Sequence, residues 1–213
     1  MKTETLRLNI VRHGVTDWNQ AMRMQGHSDI PLNDEGRDQA KRIAARLAAL
    51  ESPIEAIWSS DLSRARQTAE TIAAALNLPV KVSPLLREIM LGEWEGLNQE
   101  EIEARGDAEL LRQYRSSPGG ARPPGGETLD HAWERMMRVR HEIGAAHPDG
   151  QVAVVGHGGT LRALLCAALD APVASMLRFS LANASLSVIE QTRTPDSCIW
   201  RVRCVNDTAH LLC

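Results

Sequence analysis

The chain lacks the basic excess that general binding to nucleic acid or to membrane surfaces favours: 24 Lys and Arg stand against 27 Asp and Glu, a formal net charge of −3. No apolar run approaches the ~18 residues needed to span a bilayer. The segment Met1 to Leu8 is mixed polar and charged, without the apolar core of a secretory signal. Cysteine is scarce: Cys166, Cys198, Cys204 and Cys213 form no Cys-x-x-Cys pair, and no His stands at finger spacing to them. Reduced thiols and a cytoplasmic location are expected. A Cys198–Cys204 bridge, on what reads as one strand, would be strained. No His-x-x-x-His pattern or carboxylate-rich cluster is present, so no metal is expected. A Gly-rich loop ending in Gly-Lys-Ser/Thr is also missing, so ATP is not expected as a phosphoryl donor and no cofactor is implied.

What is there describes a soluble globular domain. The 213 residues are 43% hydrophobic and 24% charged, enough to bury roughly 70% of the unfolded surface. Apolar periodicity alternates between strand and helix. Strands are expected at Leu6–Arg12, Ile54–Ser59, Pro79–Val82 and Gln151–Val155. Leu186–Glu190 and Ile199–Val205 read as a late hairpin across Gln191–Ser197. Helices are expected at Asp34–Leu50, with Asn33 as N-cap, and at Leu62–Leu76, Glu127–Ala146 and Gly158–Leu169. Such alternation implies right-handed crossovers. The expected fold is therefore α/β: a three-layer α/β/α sandwich with a mostly parallel, mixed sheet of about six strands and helices on both faces. The whole chain, 1–213, reads as one domain, with residues 83–126 as a small capping insertion. The end of that insertion, Arg115 to Gly126, is its expected mobile part.

Two strands end in the same way. Leu6 to Val11 runs into Arg12-His13-Gly14-Val15-Thr16-Asp17-Trp18-Asn19, and Val152 to Val155 runs into Gly156-His157-Gly158-Gly159-Thr160. Arg is a forked, permanently charged donor for phosphate oxygens. His is a nitrogen nucleophile that is neutral near pH 7, and Gly lets the backbone approach an anion. Ligands of such sheets bind outside the carboxyl ends of the strands, where both His-Gly pairs fall.

Arg12-His13-Gly14 with Thr16 and Asn19 resembles the signature of the histidine phosphatase superfamily, the phosphoglycerate-mutase-like enzymes. The resemblance extends through Gln25-Gly26, Asp29 to Asn33, Ser59 to Ala65, Gln67-Thr68-Ala69, Glu88, Gly92 to Gly96, Gly125 to Thr128 and Gly156 to Gly159. It implies a metal-independent phosphomonoester hydrolase acting on a small phosphorylated metabolite through a phosphohistidine on His13. Arg12 and Arg64 would clamp the phosphoryl group, with Arg64 near a helix N-terminus that adds positive potential. His157 would donate to phosphoryl oxygens, and the Gly158 amide could join it. Glu88, after Leu86-Arg87, would be the proton donor and acceptor. Asn19, Gln25 and Gly26 would complete the substrate site, Thr16 would hold the loop, and Trp18 and Trp94 would either wall the pocket or pack. Arg115 and Arg122 could read a carboxylate or remain solvated, and His210 could fold over the mouth.

Gly92-Glu93-Trp94-Glu95-Gly96 resembles the phosphatase branch, with its broad-specificity and α-ribazole-phosphate phosphatases. A cofactor-dependent phosphoglycerate mutase and a non-catalytic phospho-ligand binding protein are the alternatives. The expected partner is a small phosphomonoester, with neither nucleic acid nor membrane. Homodimerisation is compatible with the sequence, though no stretch specifies it.

Overall fold

Leu6, Leu8 and Ile10 face one side of the first strand and Val11 the other, as the period of two in an extended chain requires. That strand, β1 (Glu4–Arg12), lies near the middle of a six-stranded sheet in the computed structural model, which describes residues 3–116 and 121–212. Cys213 and residues 117–120 of the expected mobile stretch lie outside the described residues. The other strands are β2 (Ala56–Ser59), β3 (Val80–Val82), β4 (Gly150–Gly156), β5 (Leu186–Thr194) and β6 (Ser197–Asp207), in the spatial order β3-β2-β4-β1-β5-β6. The first four run parallel; β5 is antiparallel to β1 and β6 antiparallel to β5.

Alternation in the central strands builds two cores. Leu6, Leu8, Ile10, Val152 and Val154 pack against α6 (Leu129–Ala146) and α7 (Gly158–Ala168). On the other face, Val11, Ile57, Ala153 and Val155 pack against α2 (Asp34–Ala48) and α3 (Ser63–Leu76). Both faces of the parallel strands are thus covered, so these strands read as nearly unbroken apolar runs. A third, small core of Trp94, Ile102 and Leu111 lies within residues 83–126, with Tyr114 edge-on to Trp94 at 5.7 Å. It holds together the short helices α4 (Gln99–Ile102) and α5 (Ala108–Ser116).

The boundaries depart from sequence expectation where side chains, not apolar periodicity, decide. Asn33 does cap α2, accepting from the Gly36 amide at 2.9 Å. Helix α6 starts two residues later than its pattern suggests, because Thr128 is its cap and the Glu127 carboxylate is taken by Arg135 and the Met90 amide. The late hairpin is longer: Gln191 to Thr194 pair with Trp200 to Ser197, so the turn is Pro195–Asp196. Polar residues on an outer hairpin leave no apolar signature. Cys198 and Cys204 sit six positions apart on β6, roughly 20 Å at strand rise, too far to bridge. Among the described residues, no helix is long and apolar enough to cross a membrane.

Candidate active site

Strand register brings the two His-Gly motifs together. Arg12 of β1 is paired with Gly156 of β4, so His13 and His157 each stand one residue beyond a matched pair. The His13 amide donates to the Gly156 carbonyl at 3.0 Å, and the two imidazole centroids are 5.2 Å apart. Ser59 of β2 is level with Val155, which sets the start of α3, and hence Arg64, beside them.

Hydrogen-bond partners fix the tautomers. His13 Nδ1 lies 2.6 Å from the Gly14 carbonyl. A carbonyl can only accept, so Nδ1 carries the proton and Nε2 keeps its lone pair. His157 Nδ1 accepts from Arg64 Nε at 3.2 Å. Its proton is therefore on Nε2, which is buried with no partner among the described residues. Burial, reinforced by the cations of Arg64 and Arg12, holds the pKa of His13 well below the ordinary histidine range. Burial and then Arg64 do the same to His157.

The arginines differ in how far they are committed. Arg64 donates to the carbonyls of Ser28 and Gly26 at 2.7 and 2.8 Å, so it both faces the cleft and folds the 26–28 loop around itself. Among the described residues the Arg12 side chain makes one bond, from Nη1 to the Leu181 carbonyl at 2.5 Å, and its buried Nε has no partner. Burial lowers its pKa to about 10, still cationic at neutral pH. Gly158 lies against this guanidinium: a Cβ there would stand 3.3 Å from Arg12 Nε. The cleft wall at this point is Gly159, not Gly158.

Glu88 is held over the start of α7. Its carboxylate accepts from the amides of Ile89, Gly159 and Thr160 at 2.9, 3.0 and 3.1 Å. At Gly159 a Cβ would come within 2.6 Å of Glu88 Oε1, so only glycine admits the carboxylate. The Glu88 carbonyl accepts from His27 Nε2 at 2.8 Å and from Arg135 at 3.3 Å.

Arg12, His13, Arg64, Glu88 and Gly159 line a cleft of about 320 Å³ with Asn19, Gln25 and Gly26, whereas His157 is fully buried and is not part of this wall. Thr16 caps the four-residue helix α1 (Asp17–Gln20) in a reciprocal box with Asn19. Its hydroxyl also lies 3.1 Å from Gln25 Oε1. Gly26 adopts a left-handed φ of 51°, and a side chain there would collide with the Glu95 carboxylate. Glu95 in turn accepts from the amides of His27, Ser28 and Leu91.

The structure decides several placements that the sequence left open. At the N-terminus of α3 the Asp29 carboxylate takes the Ser63 amide and hydroxyl at 2.6 and 2.8 Å, an anion that offsets the positive potential expected there. Trp94 is fully buried in the small core and bonded to Asp107, and Trp18 packs over Gly96; neither lines the cleft. Arg115 reaches the cleft but Arg122 does not. His210 does not cover the mouth; its Nε2 lies 3.0 Å from the Ala184 carbonyl, behind the His13 loop. Sequence reasoning missed Arg23 and Arg162 on the cleft wall and Arg135 and Asn183 behind it; Tyr114 stood out in the capping insertion and Glu95 in the Gly92–Gly96 motif, without a place in the site. The four missed residues look like ordinary surface charges and amides in the sequence. No group of three or more His, Cys, Asp or Glu among the described residues could hold a metal ion.

Residues 8–208 match the histidine phosphatase superfamily (branch 1). Phosphoglycerate mutase-like protein 4 of Arabidopsis thaliana is 37% identical over 204 residues, 95% of this chain and 85% of that protein. A metal-independent phosphoserine phosphatase from the same plant is 35% identical over 213 residues, 99% of this chain and 85% of the relative. The structure of a mycobacterial glucosyl-3-phosphoglycerate phosphatase superposes with a TM-score of 0.86 at 34% identity, covering 96% of this chain and 100% of that one. The chain belongs to the histidine phosphatase superfamily, branch 1.

Proposed function

We propose that this phosphatase hydrolyses a small phosphomonoester without metal, through a phosphohistidine on His13. The observation that carries the reading is the His13 tautomer. With Nδ1–H committed to Gly14, Nε2 offers a lone pair in a cleft walled by Arg12 and Arg64. In the first step the Nε2–P bond forms as the ester P–O bond breaks, and Glu88 gives its proton to the departing alkoxide. That proton enters with the substrate, which as a monoanionic phosphomonoester carries one on a phosphoryl oxygen. The positive charge on the phosphorylated imidazole is shared with Gly14 through Nδ1–H. In the second step water attacks phosphorus, Glu88 takes its proton, and the N–P bond breaks to return neutral His13. Arg12, Arg64 and the unpartnered His157 Nε2–H are donors set in place for the charge of the five-coordinate phosphorus, and they supply what a metal would otherwise give.

The volume of the cleft suits a metabolite-sized ester. The test is phosphate release from a panel of phosphoglycerates, phosphoserine, α-ribazole phosphate, sugar phosphates and p-nitrophenyl phosphate, beside the His13→Ala variant. Release that vanishes in the variant supports the reading. Interconversion of the two phosphoglycerates without release would make the chain a mutase, and silence in both assays would favour a binding protein.

A further inference from the structure

Asn183 precedes β5 in the bend that backs the His13 loop and is not part of the cleft wall. Its Nδ2 donates at 3.1 Å to the His13 carbonyl and at 3.1 Å to Asn19 Oδ1, with the Gly14 carbonyl at 3.4 Å. Asn19 Oδ1 also receives the Thr16 amide at 3.2 Å; the Thr16 hydroxyl, with one proton to give, lies 3.1 Å from both Asn19 Oδ1 and Gln25 Oε1. The two lone pairs of this amide oxygen are filled by the Thr16 amide and Asn183 Nδ2. The other end of that amide, Nδ2, is what Asn19 has to offer the cleft it lines. An amide rotated by half a turn would fit the same density of atoms but would present oxygen to an anion, so whatever fixes the rotation fixes the sign of the contact.

We propose that Asn183 is a positioning residue for phosphoryl recognition: it locks the Asn19 amide with nitrogen toward the phosphate. The proposal rests on the reading of Asn19 as a phosphate ligand. Asn183 is itself held on both sides. The Ala182 amide donates to Asn206 Oδ1 at 2.6 Å and the Ala184 amide to the His13 carbonyl at 3.1 Å. His210 Nε2 sits 3.0 Å from the Ala184 carbonyl. Ala184 is held at a φ of +54°, a left-handed conformation that alanine disfavours. The bend is thus over-determined by its neighbours, and the C-terminal turn acts on the site from behind, as a brace.

The test is a double-mutant cycle read as the vanadate inhibition constant. Asn183→Asp removes the donor and sets a carboxylate against Asn19 Oδ1. The Asn19 amide must then turn or leave, and vanadate binding weakens about tenfold or more, the size of one hydrogen bond to a charged group. Asn183→Ala leaves the Thr16 amide in place as a donor and weakens it by only a few-fold. Asn19→Ala alone weakens vanadate about tenfold, and in that background the Asn183→Asp step shrinks below about threefold, since coupled residues are not additive. If Asn183→Asp does not fold, the few-fold Asn183→Ala step must vanish in the same background. A step of undiminished size beside Asn19→Ala means simple charge repulsion or loop damage and overturns the proposal. An Asn19→Ala variant that binds vanadate normally overturns it too, by removing the ligand it positions. In that case phosphate release that still depends on His13 leaves the phosphatase reading standing.

Discussion

The imidazoles of His13 and His157 stand 5.2 Å apart and carry their protons on opposite nitrogens, Nδ1 in His13 and Nε2 in His157. One presents a lone pair and the other a donor, although both rings share one buried environment. The difference comes from their partners: a backbone carbonyl can only accept and a guanidinium can only donate. The pair therefore offers an acceptor and a donor before any substrate arrives, the division that the proposed nucleophile and electrophile require.

This division predicts unlike variants. His157→Ala should slow turnover by roughly 10²–10³-fold, the effect of one preorganised donor, while still forming phosphoenzyme in rapid-quench experiments. A His157→Ala protein with wild-type turnover would remove that ring from the chemistry.

Arg64→Ala should lose at least about 10²-fold in kcat/KM. Because Arg64 also ties the Gly26 and Ser28 carbonyls, melting temperature should drop as well. Arg64→Lys should not rescue activity, since an ammonium cannot hold His157, Ser28 and Gly26 with a planar fork. Steady-state kinetics with thermal melts check both, and a fully active Arg64→Lys variant counts against the clamp.

Glu88→Gln separates leaving groups. Alkyl phosphates need a proton on departure and should slow by about 10²-fold or more. Release from p-nitrophenyl phosphate, whose phenolate leaves unaided, should fall less than about tenfold. Equal losses on the two esters would exclude proton transfer by Glu88.

The depressed histidines make stability depend on pH. In the unfolded chain both imidazoles protonate as pH falls through ~6.5, whereas in the fold burial and arginine charge keep them neutral. The unfolded state then binds more protons, so stability falls as pH drops below 6.5, by about 1.4 kcal/mol per unit for each ring, until the folded site itself protonates. Urea melts from pH 7.5 to 5 should show this slope, and it should flatten in the His13→Ala/His157→Ala double variant. A slope unchanged in that variant would locate the effect elsewhere.

Much of the catalytic edge was legible in sequence because strand ends and helix starts are marked by residues that the local backbone needs. Arg12-His13-Gly14 and Gly156-His157-Gly158 follow apolar runs whose alternation also separates the two cores. Asn33 and Thr16 announce their caps through side chains that satisfy nearby amides. What lay hidden depends on long-range pairing. Nothing local distinguishes Asn183 from any loop amide, yet it reaches His13 across 170 positions of chain. Arg135 looks like one of several solvated arginines on α6, but it binds the carbonyls of Leu85, Arg87 and Glu88. Asp29 offsets the expected positive helix end at Arg64, and a carboxylate supplied from a distant loop leaves no spacing to read.

The most direct test of the central claim is a quench of the protein during turnover of a phosphomonoester, with mass spectrometry of the peptide containing His13, in the presence of a chelator. The account predicts acid-labile phosphate on His13, unaffected by EDTA, absent from His13→Ala, and lost at the rate of turnover when substrate is removed. Steady hydrolysis with no phosphate ever found on His13, or hydrolysis that stops with EDTA, would contradict it.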